Sequence, residues 1–146
     1  MTQTNKKTLH ERNFHNDRYD FKALIQSEPS LNEFVKPNKY GDLSIDFANP
    51  QAVIALNKAL LSFFYGVKNW SIPSDYLCPP IPGRSDYIHH IADLLAASNG
   101  GKIPKGSNIK GLDVGIGANC IYPIVGGSVY GWSITGNEKD DVALKS

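Results

Sequence analysis

Long apolar runs are missing from these 146 residues. No stretch approaches the roughly 18 residues a membrane-spanning helix needs. Cysteine is scarce: Cys78 and Cys120 are the only two, too few for a disulfide framework, and they read as reduced thiols. The opening MTQTNKKTLHERN lacks the apolar core of a signal peptide. Neither sign of charge dominates, with 15 Lys and Arg against 14 Asp and Glu. A net charge of +1 argues neither for nor against a polyanionic partner. Disordered and collagen-like classes are disfavoured as well, with 41% hydrophobic and 20% charged residues. What remains is a soluble, cytoplasmic chain of single-domain length, with no membrane association expected.

Two unlike parts follow one another. Residues 1–100 carry helical patterns broken by proline, whereas 108–146 read as strand, glycine turn, helix and strand. Residues 1–19 are polar and mixed in charge, and an arm with little structure of its own is expected. Asp20 is placed to cap a short helix bearing Phe21, Leu24 and Ile25. A second short piece holds Leu31, Phe34 and Val35. Pro37 stops it, and Asn38-Lys39-Tyr40-Gly41-Asp42 is turn chemistry. Asn49-Pro50 opens the clearest helix, with Val53, Leu56, Leu60, Leu61 and Phe64 on one face and Gly66 as its stop. Four prolines in residues 72–83 predict a rigid connector, with helix excluded across Pro79–Pro82. Ser85 or Asp86 then caps a helix with Ile88, Ile91, Leu94 and Leu95 inward, ended at Asn99-Gly100-Gly101. Strands are expected at Ile109–Val114 and Tyr130–Gly136. Between them Pro123 limits the helix to an opening or kinked turn, and Gly126-Gly127 loosens it further. Glu138 to Ser146 looks like the start of another helix.

The segment GLDVGIGANC, residues 111–120, is the most informative. An apolar strand ends in Asp113, and Gly115 and Gly117 permit a tight turn that brings a ligand close to backbone amides. Glu138 follows Asp113 by 25 residues, near the end of the next strand. A carboxylate there can accept from both hydroxyls of an adenosine ribose. A dinucleotide fingerprint needs a third glycine where this chain has Cys120, which disfavours an oxidoreductase. Asp113 would repel a pyrophosphate and attract a cationic group. S-adenosylmethionine, with ammonium, sulfonium and ribose, matches Asp113 plus Glu138 better than a nicotinamide dinucleotide does. An ordinary tight strand–helix turn remains open on the motif alone.

The strings RYDF (18–21), GDLSIDFANPQAV (41–53), YLCPPIPGRSDYIHHIADLL (76–95) and LDVGIGANCIYPIVGG (112–127) resemble a known family from about His10 onward. It is the bacterial methyltransferase F family, which N6-methylates one adenine of large-subunit (23S) ribosomal RNA. More distantly they resemble eukaryotic methyltransferase-like enzymes acting on adenine in other RNAs. The resemblance implies an α/β, class I S-adenosylmethionine-dependent (Rossmann-like) methyltransferase fold preceded by a mostly helical, RNA-facing region. The division expected is 1–107 for that region and 108–146 for the first part of the methyltransferase domain. Gly115, Gly117 and Asn119 would line the methionine end of the donor. Asp113 would sit near its amino group, Glu138 would hold the ribose, and Arg84 would reach its carboxylate with a planar fork of donors.

Family members also carry an Asn-Pro-Pro-Phe motif that holds the target amine, and this sequence has none. Pro79-Pro80 follows Cys78 and precedes the glycine turn, so it is no substitute. The resemblance therefore implies a truncated member, with no catalytic residue assigned and the chain alone inactive. The isolated chain is expected to be poorly soluble or only partly folded beyond residue 107, because a sheet cut after two strands exposes a parallel edge. The alternative function is a non-catalytic RNA-binding or interaction module.

Lys6, Lys7, Arg12 and Arg18, with Phe14, Tyr19 and Phe21 interleaved, make a basic aromatic arm suited to RNA phosphates and bases. The excess is modest, seven Lys and Arg against five Asp and Glu in the first forty residues. His89 and His90 point about 100° apart on a helix, and no metal is expected. Cys120 near a helix N-terminus could have a lowered pKa, although a packing role is favoured. Trp70 and Trp132 read as packing anchors.

Overall fold

The structure is a computed structural model that describes residues 9–73, 81–115 and 120–137. The short helix α1, Phe21–Ser27, starts where Asp20 accepts from the Lys22 and Ala23 amides. A 3-10 turn, Pro29–Phe34, buries Leu31. The Asn38–Asp42 turn then closes a small antiparallel hairpin of β1, Lys36–Pro37, and β2, Leu43–Ser44. Asn38 Oδ1 accepts from Tyr40 N and Asp42 N, and Gly41 supplies the positive φ of +82°.

Helix α2, Pro50–Tyr65, has the ends its sequence announces. Asn49 accepts from Gln51 N, and Gly66 closes the helix at φ +67° with its N–H on Leu61 and Ser62 carbonyls. Its buried stripe runs through Ala52, Ala55, Leu56, Ala59, Leu60 and Leu61, with Val53 and Phe64 half-buried at the edge. Helix α3, Ile81–Ala97, begins earlier than expected. Ile81 and Pro82 lie inside it, because a proline in the first turn removes an amide that has no intrahelical acceptor anyway. Pro79, Pro80 and Cys78 lie outside the described residues. Ile81, Ser85, Ile88, His89 and Ala92 form the inward stripe. Leu94, expected inward, is 71% exposed, one helical step off that stripe.

Strand β3, Lys110–Val114, pairs in parallel with β4, Ser133–Asn137, in the register Lys110↔Ser133 to Val114↔Asn137. The crossover is α4, Ile121–Tyr130, a full helix rather than an opening turn. Pro123 falls in its first turn, where no N–H is needed. Tyr130 ends this helix instead of starting the strand, and Gly131 closes it at φ +71°. Gly126 faces Ile134 on β4, so the glycine permits close approach where looseness was expected.

One hydrophobic cluster joins Leu24 and Leu31 to Leu60 and Leu61 of α2, Ile81 and Ile88 of α3, Ile121 and Val125 of α4, and Trp132. Trp132 is buried and donates Nε1–H to Pro104 O at 2.8 Å, and Trp70 is buried too. The opposite face of the sheet shows Leu112 and Val114 exposed. Among the described residues no helix is long and apolar enough to cross a membrane.

Residues 9–19 are a packed segment, contrary to the expected loose arm. Asn13 and His15 are buried. Asn13 Nδ2 donates to Pro82 O and Asp86 Oδ1, and His15 bridges the hydroxyls of Tyr19 and Tyr65 at 3.1 and 2.9 Å. Tyr65 in turn donates to Ser85 Oγ. The partners of Asn13 lie as far as 73 residues away, which is why local pattern did not reveal them.

Candidate functional site

The C-terminal ends of β3 and β4 lie side by side in register, and α4 starts at Ile121, six residues after Gly115. In an open parallel α/β sheet this edge is where ligands bind. Gly115 leaves the sheet at φ +68°, a conformation that suits glycine. Its amide donates to Asn137 Oδ1 at 2.9 Å. Asp113 is half-buried on β3, and its Oδ2 is buried with no hydrogen-bond partner among the described residues. Burial raises its carboxyl above the ordinary range. Cys120 holds the N-cap position of α4 in the left-handed region, at φ +56°. Its thiol is pushed up by burial and by the neighbouring Asp113 charge, the reverse of the lowering expected at a helix start.

Arg84 sits on the first turn of α3, half-buried, with its guanidinium carbon 6.0 Å from the centre of the Tyr122 ring on α4. It forms no ion pair with any described residue. Arg84 therefore stands beside the helix that follows the glycine turn. Gly117, Asn119 and Glu138 lie outside the described residues, as do Lys6 and Lys7.

The two arginines of the arm have different surroundings. Arg12 Nε donates to Tyr130 Oη at 3.0 Å, and its Nη2 donates to His89 O and Asp93 Oδ1 at 3.1 and 2.7 Å. Arg18 is exposed and pairs with Asp42 at 3.1 Å. It lines an open cleft of about 640 Å³ with Tyr19, Tyr40 and Phe47.

A second cluster was not foreseen in the sequence. One ring nitrogen each of His10 and His90 and one Asp93 carboxylate oxygen lie within 4.8 Å of one another, so a carboxylate does stand beside the histidines. His10 Nδ1 accepts from Arg12 N, which leaves the ring proton on Nε2 to donate to Asp93 at 2.6 Å. A metal ion would have to displace that proton. These contacts clasp the arm onto α3. The only signal for them in the sequence was the exposed-looking pair His89-His90, of which His89 is fully buried.

Two parallel strands joined by a helix, a glycine turn and an acid at the first strand's end belong to the class I S-adenosylmethionine-dependent methyltransferase fold. The METTL16 MTase domain superposes with a TM-score of 0.81 at 35% identity, over 96% of this chain and 53% of that one. The N-terminal domain of human METTL16 in complex with SAH also gives 0.81, at 34% identity over 95% of this chain and 52% of that one. A family model described as RNA methyltransferase matches residues 3–146, and the chain belongs to that family. Ribosomal RNA large subunit methyltransferase F of Serratia proteamaculans is 64% identical over 141 residues, 97% of this chain and 42% of that protein. The same-named protein of Photobacterium profundum is 62% identical over the same shares. The chain thus spans about 42% of the length of these relatives.

Proposed function

We propose that this chain forms the donor-binding part of a cytoplasmic enzyme that N6-methylates an adenine of large-subunit ribosomal RNA. The names of the relatives and the SAH-bound METTL16 domain support the substrate and the donor. One observation of this structure carries the reading: the buried, unpartnered Asp113 Oδ2 at the end of β3. A desolvated carboxylate without a partner is costly, and a ligand ammonium supplies the missing donors. The residues therefore fit S-adenosylmethionine.

When bound, the donor supplies an electrophilic methyl group on its sulfonium. Asp113 accepts from its ammonium, and Arg84 pairs with its carboxylate through two parallel N–H groups. Gly115 and Gly117 keep the turn free of side chains, Asn119 completes the methionine end, and Glu138 accepts from the ribose hydroxyls. In this reading 108–146 is the donor-binding stretch and 1–107 faces RNA, with Lys6, Lys7 and Arg18 on phosphates. Arg12, engaged with Tyr130 and Asp93, holds the arm in place while it does so. No residue of these 146 is assigned to the target amine, and the chain by itself is proposed to be inactive. Calorimetric titration with S-adenosylhomocysteine tests the reading. Saturable one-to-one binding is expected, and its absence overturns the donor assignment.

A further inference from the structure

The β3–β4 ladder ends at the pair Val114↔Asn137. One residue later Gly115 turns out of the sheet at φ +68°. Its N–H has left the backbone ladder, and the side-chain oxygen of Asn137 receives it at 2.9 Å. We propose that Asn137 is a positioning residue for methyl-donor binding, its side chain fixing the start of the glycine turn relative to the end of β4. This rests on the donor-site reading above. The residue after Asn137 in sequence is Glu138, and Gly117 and Asn119 follow Gly115 within four residues. A single bond between the two strand ends therefore ties together both segments assigned to the donor. Asn suits the task because its side-chain carbonyl oxygen accepts from a backbone amide, a role an Asp oxygen of the same reach can also fill.

The bond is solvent-exposed. Its net contribution to global stability is small, so its effect is local, and binding and stability should separate. The test compares the protein with Asn137→Ala and Asn137→Asp, the latter keeping an acceptor of the same reach. S-adenosylhomocysteine affinity is measured by calorimetry, Gly115 amide exchange by NMR without ligand, and the thermal midpoint by calorimetric scan. Asn137→Ala is expected to bind about fivefold more weakly, the size of one neutral hydrogen bond. Its Gly115 amide exchanges faster, its midpoint is unchanged, and Asn137→Asp recovers both affinity and protection. An alanine variant that binds as tightly as the parent overturns the inference, and so does an aspartate variant as weak as the alanine one. No binding to the unchanged protein overturns the donor reading itself and the inference with it. Binding in the parent that is indifferent to residue 137 overturns the inference alone.

Discussion

Ile134 Cδ1 lies where a side chain on Gly126 would begin. A Cβ built on Gly126 stands 2.6 Å from it, and 3.4 Å from Trp132 Cε3. The absence of that side chain lets α4 lie close against β4 and seats Val125 and Ile121 in the core. Gly127 is different, since its Cβ would meet only Trp132 O, at an ordinary 3.6 Å. Gly→Ala inside a helix gains up to about 1 kcal/mol from propensity, while overpacking a core costs about 1–3 kcal/mol. Gly127→Ala is therefore expected to raise the thermal midpoint and Gly126→Ala to lower it. Adding Ile134→Val to Gly126→Ala removes the offending methyl and should recover most of the loss. A Gly126→Ala variant as stable as Gly127→Ala would show that Ile134 simply rotates aside.

The same contrast explains what could be read from the sequence. The ends of α1 and α2 and the Asn38 turn were legible, because Asp20, Asn49, Gly66 and Gly41 act on their own neighbours. Gly126 and Pro123 misled because their effect depends on position in the helix and on a strand not yet placed. The arm misled more. Asn13 and His15 look like surface residues until Pro82, Asp86 and Tyr65 close around them. Of the candidate site, the Asp113 strand end and the Gly115 turn could be read directly, whereas Asn137 became visible only through the register of β4.

Acid should loosen this fold in a defined window. Burial pushes His15 and His89 down to about 4, from an ordinary value of 6.5. Both are neutral in the fold, while the unfolded chain takes up their protons as the pH falls below 6.5. Stability from these two groups is thus full above pH 6.5 and is lost as the pH falls toward 4. Asp93 does not contribute there. Hydrogen bonds from His10 and Arg12 hold it at about 2, so its share is lost only below the ordinary carboxylate range. The thermal midpoint is expected to fall steadily between pH 6.5 and 4. His89→Gln should flatten that slope, and a midpoint independent of pH over this range would contradict the buried neutral histidines.

Asp113 makes opposite demands on stability and binding. Burial raises its carboxyl, so the free protein is less stable as the pH rises through that value and the buried group ionises. Asp113→Asn removes the desolvated charge and should raise the thermal midpoint of the ligand-free protein. The same change removes the ionic acceptor for the donor's ammonium. A hydrogen bond to a charged group is worth about 1.5–3 kcal/mol, so affinity for S-adenosylhomocysteine should fall about ten- to a hundredfold. An Asp113→Asn variant that loses both stability and affinity would mark Asp113 as a structural residue.

Arg12 and Arg18, six residues apart, should separate fold from RNA binding. Removing Arg12 strips Tyr130 Oη, the His89 carbonyl and Asp93 of a donor. Tyr130 and His89 are buried, and losing the charged donor to them costs about 2 kcal/mol, which in a chain of this size lowers the midpoint by roughly 4–8 °C. Arg18 is exposed and its pair with Asp42 lies in water, so Arg18→Ala should leave the midpoint unchanged. If Arg18 faces an RNA phosphate, its loss weakens RNA binding across sequences. It also reduces the slope of log affinity against log salt by about 0.7–0.9. Arg12→Ala with the parental midpoint would dissolve the clasp between arm and α3. An unaltered salt slope in Arg18→Ala would remove Arg18 from the RNA-facing surface.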